Sequence, residues 1–69
     1  MKQLNARQLA HELNIRGWSL ARMKDGSHMQ FKKPGVATLI TVPAHGSRPL
    51  HVGLLRKILR DADIDPSEL

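Results

Sequence analysis

The apolar residues of this chain change their spacing twice, and that change limits the fold more than any other feature. Ala6, Leu9, Ala10 and Leu13 recur at the spacing of one helix face. Between Trp18 and Val42 apolar and polar residues alternate instead, which is the period of a half-buried strand. Leu54, Leu55, Ile58, Leu59 and Ala62 then restore the helical spacing. The order implied is helix, strands, helix.

Turn chemistry divides the middle region into three strands. Lys24-Asp25-Gly26-Ser27 and Lys33-Pro34-Gly35 carry residues that favour tight reversals. The strands therefore run from Trp18 to about Arg22, from His28 to about Lys32, and from Thr38 to Val42, whose β-branched residues suit a pleated surface. Pro43 cannot donate to a ladder, so pairing is expected to stop there. Asn5-Ala-Arg-Gln8 has the pattern of a helix capping box, with Leu4 placed to staple onto Leu9. Asn14 and Gly17 are stop signals for that helix. "DPSEL" begins like a further helix, with Asp at N-cap and Pro at the first position.

Connections this short favour a meander sheet, and both helices must bury an apolar stripe. The expected fold is α+β: a double-stranded-RNA-binding-domain-like α-β-β-β-α chain, three antiparallel strands with both helices on one face. Sixty-nine residues suffice for one small domain, taken as 1–69, that buries roughly 60% of the surface its unfolded chain exposes. With no cysteine, no disulfide or thiolate zinc site reinforces that thin core. No apolar run approaches the ~18 residues of a membrane span, and no leader opens the chain, so we expect a cytoplasmic protein.

Charge is unevenly distributed. Positions 1–60 hold all eleven Lys and Arg against only Glu12 and Asp25, a net of +9, while Asp61, Asp63, Asp65 and Glu68 give the last nine positions −4. A compact body this basic suits a polyanion, either nucleic acid or an acidic protein. Arg56, Lys57 and Arg60 fall on the wet side of the second helix, where they solvate it or meet an acidic partner.

His28 opens the second strand directly after Gly26-Ser27. Strand alternation puts Met29 and Phe31 on the helix side and His28, Gln30 and Lys32 on the open side. Neighbouring strands should add Ser19, Ala21, Leu39 and Thr41 to the open side, with Trp18 and Leu20 facing in. Alternation thus argues against a core histidine. A metal site would want companions, and His11, His28, His45 and His51 are not paired at ligand spacing. No metal or cofactor is therefore expected. A Ser27–His28 hydrolase pair is disfavoured because strand neighbours point to opposite faces.

A lone imidazole among cations fits one chemistry well. Attack of an RNA 2′-hydroxyl on the adjacent phosphate needs proton transfer near neutral pH and positive charge on the phosphate. DNA lacks that hydroxyl. The residues alone leave two other readings open: a module that grips double-stranded RNA without cutting it, and an adaptor for one acidic protein.

"RGWSLARMKDGSHMQFKKPG", "TVPAH" and "VGLLRKILRDADI" together resemble the HicA (YcfA-like) toxins of prokaryotic toxin–antitoxin modules, over nearly the whole chain. The resemblance implies an endoribonuclease that cuts messenger RNA without needing the ribosome and is held inactive by a HicB antitoxin. The family's catalytic histidine, in Gly-Ser-His, falls on His28. Gly26 is then the turn residue before it, and Arg22, Lys24, Ser27, Gln30, Lys32 and Lys33 are the candidate RNA contacts. Pro43 and His45 match the family's Pro-x-His step, where a loop hydrogen bond or partner contact is expected of His45. Three features depart from the pattern. Met29 stands where relatives often carry a second histidine, Asp25 puts a negative charge in a turn that is often basic, and the acidic tail lacks the third helix of some relatives.

Overall fold

A computed structural model describes residues 2–44 and 46–69. Its elements are α1 (Ala6–Ile15), β1 (Ser19–Lys24), β2 (His28–Lys33), β3 (Val36–Pro43), α2 (Val52–Asp61) and a terminal 3₁₀ turn, Pro66–Glu68. The sheet is antiparallel in the order β1-β2-β3. Both helices pack against the side that carries Phe31, Ile40 and Val42. This is the α-β-β-β-α architecture expected.

The capping box forms as written. The Asn5 side chain accepts the Gln8 N–H at 2.8 Å, and the Gln8 side chain accepts the Asn5 N–H at 2.9 Å. Leu4 and Leu9, before and after the cap, are both buried in the core. Asn5→Ala removes one half of this exchange and is expected to cost about 1 kcal/mol. In a domain of this size that lowers the melting midpoint by about 4–8 °C; an unchanged thermal melt would show that the box is idle.

At its other end α1 stops in a Schellman arrangement. The Trp18 N–H bonds to Leu13 O at 3.0 Å and the Gly17 N–H to Asn14 O at 3.1 Å. Gly17 takes φ +95°, a conformation natural only to glycine. Because the Trp18 N–H is spent on the helix, β1 begins one residue later than alternation suggests. Trp18 itself is a core residue, 2% exposed, and not a stacking platform. Its indole Nε1 is buried with no hydrogen-bond partner among the described residues.

β1 departs from the expected pattern. Leu20 lies opposite Phe31 and Arg22 opposite Gln30, so Ala21 is an extra, bulged residue. Leu20 shares the helix side with Phe31 yet stays 51% exposed, not inward and buried as expected. The reason is position: β1 is a sheet edge, and the helices pack over β3.

The two turns behave as their residues require. Asp25 (φ 54°) and Gly26 (φ 72°) both adopt the left-handed conformation of a tight Asp-Gly hairpin, closed by the Ser27 N–H on Lys24 O at 3.3 Å. Pro34-Gly35 joins Lys33 to its partner Val36, with Gly35 at φ 81°, the residue pair and sign of a type II turn.

β3 is longer than expected at both ends. Pairing does not stop at Pro43, because Pro43 lies opposite His28 and the next residue, Ala44, donates its N–H to Ser27 O at 2.8 Å. His28 and Pro43 are thus a non-hydrogen-bonded pair, where the missing N–H of proline costs nothing in the ladder.

His51 caps α2 by accepting the Gly53 N–H on Nδ1 at 3.1 Å. The Leu50 N–H bonds to Leu4 O at 2.8 Å, which ties the approach to α2 to the start of α1. The tail starts a helical turn as its residues suggest, with Asp65 at N-cap and Pro66 at the first position, and makes a single 3₁₀ turn. Among the described residues no helix is long and apolar enough to cross a membrane.

Candidate active site

The open side of the sheet is organised by register. Directly opposed residues share a face, so Lys24, His28 and Pro43 form one cross-strand row, and Arg22, Gln30 and Thr41 form the next. Ser19 and Lys32 lie beyond them on the first two strands. Met29 falls on the opposite face, paired with Met23 and Val42 and packed against the core. The ladder therefore places His28 where alternation expects it.

His28 is half-buried, with Ser27 Oγ 3.2 Å from its Nδ1. The sequence argument that strand neighbours diverge does not apply to this pair. Ser27 belongs to the turn and is free to reach the ring. Lys24, directly across from His28, is exposed. Gly26 makes the bend just before Ser27 and His28.

Gln30 is the surprise of the open side. It is 7% exposed on a face that carries no helix. Its Oε1 accepts from Arg22 Nε at 2.7 Å, and its Nε2 donates to Thr41 Oγ1 at 3.2 Å. Both ends of the carboxamide are thereby occupied, as a buried amide requires. Arg22 and Thr41, from the flanking strands, are exposed.

The remaining cations are dispersed. Lys32 is exposed on the open side, two rows from His28. Lys33 has the parity of Met29 and Phe31 and lies five residues, roughly 16 Å, along the strand from His28. Its stem passes beside Gly17, so close that a Cβ there would stand 3.3 Å from Lys33 Cε. Lys33 is not brought together with the other candidates. His45 lies outside the described residues.

On α2, Arg56, Lys57 and Arg60 are exposed as expected, and Lys57 pairs with Asp61 at 2.9 Å. That hydrogen bond holds the Asp61 carboxyl below its ordinary value of 3.8. The Ser67 backbone N–H does the same for Asp65. Asp61 ends α2, and Asp65 caps the terminal turn. Among the described residues, no three His, Asp or Glu side chains converge where a metal ion could sit.

Sequence reasoning missed two contacts here, the Ser27 hydroxyl on the imidazole and the Arg22–Gln30–Thr41 chain. Counting back from Pro43 by twos reaches Thr41, but no residue pattern announces that its hydroxyl meets Gln30.

Three strands in meander order, two helices on one side and an open side on which His28 lies across from Lys24 define a small α+β domain of α-β-β-β-α order. Residues 6–64 match the family model described as the HicA toxin of bacterial toxin–antitoxin modules. That match covers most of the chain, which belongs to the HicA toxin family and is the toxin side of such a module. No curated protein matches the chain.

Proposed function

We propose that this toxin is a metal-independent endoribonuclease that cleaves messenger RNA with His28 as general acid and base, and that a HicB-type antitoxin neutralises it. The observation that carries the reading is the His28 row: a half-buried imidazole on the helix-free side, oriented by the Ser27 hydroxyl and faced by Lys24. The ring takes the proton of the RNA 2′-hydroxyl as the 2′-oxygen bonds to phosphorus. The bond from phosphorus to the 5′-oxygen breaks, and that oxygen receives a proton from the imidazolium. The products are a 2′,3′-cyclic phosphate and a 5′-hydroxyl. Lys24 and Arg22 offset the charge that gathers on the phosphate oxygens. The exposed cations of α2 suit an acidic antitoxin surface.

The direct test incubates purified chain, freed of any co-expressed partner, with a defined RNA and its DNA counterpart in EDTA. RNA cut to cyclic-phosphate ends with DNA intact is the expected result. RNA that is bound in a salt-dependent way but stays whole would instead establish a binding module.

Asp25 supplies a second test. It stands in the turn between Lys24 and His28, with φ 54°. Asn tolerates that conformation and lacks the charge. Asp25→Asn is expected to raise RNA affinity about twofold at low salt, an advantage that fades toward 1 M salt as screening takes over. Equal affinity at low salt would place Asp25 away from the RNA.

A further inference from the structure

We propose that Gln30 and Thr41 are positioning residues that hold the Arg22 guanidinium over the centre of the open face, so that Arg22 and not Gln30 meets the phosphate beside His28. The inference deepens the ribonuclease reading and rests on it for the identity of the ligand.

The hydrogen bonds have only one consistent direction. Arginine donates and never accepts, so Gln30 must present Oε1 to Arg22 Nε. Its Nε2 is then turned to β3, where Thr41 Oγ1 accepts it. A carboxamide flipped by half a turn would set N–H against N–H at Arg22. Arg22 thus decides which end of Gln30 it meets, and Thr41, whose hydroxyl can accept or donate, ties down the other end.

Register makes the contact possible. Ala44 and Ser27 share a ladder bond while His28 and Pro43 do not, so alternation makes Gln30 and Thr41 a non-hydrogen-bonded pair. Side chains approach closest at such pairs. On the other flank, the bulge at Ala21 sets Arg22 directly opposite Gln30.

The consequence is a pre-aimed cation. Arg22 comes from an exposed edge strand and would otherwise sample many rotamers. With Nε fixed on Gln30, the four remaining N–H groups of its two Nη atoms are available for a planar, two-point grip on phosphate. Gln30 lies two residues from His28 on the same face, about 7 Å along the strand. A phosphodiester between the two rows could touch the guanidinium with its non-bridging oxygens and the imidazole with its 2′-hydroxyl. Gln30, 7% exposed, has little surface of its own to offer RNA.

The test is a mutant cycle read in two independent ways. The first needs no RNA: the Arg22 Nε proton should exchange slowly with solvent in the wild-type chain, and fast in Gln30→Leu. The second is RNA cleavage, or RNA affinity should the chain bind without cutting. Losing a hydrogen bond to a charged group predicts a drop of about tenfold for Gln30→Leu and about threefold for Thr41→Val, with Thr41→Ser near wild type. On an Arg22→Ala background, neither Gln30→Leu nor Thr41→Val should cost anything more. Thr41 is exposed, so Thr41→Val keeps the test usable if Gln30→Leu fails to fold. Losses that add to Arg22→Ala, or an Nε proton indifferent to Gln30→Leu, would overturn the proposal. A wild-type chain that neither cuts nor binds RNA overturns the ribonuclease reading, and with it the role of this contact in RNA recognition. Slow Nε exchange would then still establish the clamp itself.

Discussion

His28→Ala is expected to slow RNA cleavage by about 10²–10⁴-fold, the usual span for removing a positioned acid–base group. The fold should be untouched. The ring is half-buried on the side away from the helices and belongs to none of the core packing. The losses inside the protein include its contact with Ser27 Oγ. Matching circular-dichroism melts for both proteins, with cleavage lost, would assign the loss to chemistry. Free imidazole added to the variant should recover part of the rate, because a small base can occupy the space the ring leaves. A folded variant cutting at the wild-type rate would remove His28 from the reaction. Ser27→Ala should cost far less than His28→Ala, since it loosens the ring without removing the proton carrier.

The fold was legible in this sequence because its strongest signals are local. The Asn5–Gln8 exchange, the Gly17 stop and the Asp25-Gly26 turn each lie within a few residues, and each formed as its residue types demand. The face of His28 was legible for the same reason: two apolar neighbours, Met29 and Phe31, fix the parity of one strand. Signals failed where they depended on a neighbouring strand. Alternation through Leu20 assumed an unbroken pleat, and the bulge at Ala21 and the edge position of β1 left that leucine in water. β3 also slips between its pairs Lys33–Val36 and Phe31–Ile40, so the partner of Gln30 could not be counted from the Pro34-Gly35 turn. Lys33 is a different case. Its parity with Phe31 already placed it on the helix side, and grouping it with the RNA contacts weighed closeness in sequence over direction.

Burial of Gln30 had no sequence signal at all. A glutamine on the polar face of a strand reads as solvated, and only register brings an arginine and a threonine to either side of it. The same holds for Ser27, whose freedom to reach His28 comes from belonging to the turn. Candidate residues could thus be named from composition and parity, whereas the contacts that tie one of them to another are tertiary facts.

Phe31→Ala is expected to unfold the chain. Phe31 is 1% exposed on the central strand, between Leu20 on one neighbour and Ile40 on the other, in the cluster that both helices cover. Truncating a buried phenylalanine costs about 3–5 kcal/mol in lost transfer energy and unfilled volume. The single core of a 69-residue domain rarely supplies more than about 3–5 kcal/mol of stability, and no disulfide limits its unfolded state. Removing the ring leaves little or nothing. Phe31→Leu keeps most of the volume and should cost about 1.5 kcal/mol, leaving a folded and active chain. The pair also separates scaffold from chemistry, because the alternation that buries Phe31 is what turns His28 to the other side. Activity lost in Phe31→Ala should return in part when an excluded osmolyte such as trimethylamine N-oxide favours the compact state. Activity lost in His28→Ala should not respond to it. A Phe31→Ala chain that melts cooperatively near the wild-type midpoint would mean that the core does not depend on this ring, and that the parity placing the imidazole outward has some other origin.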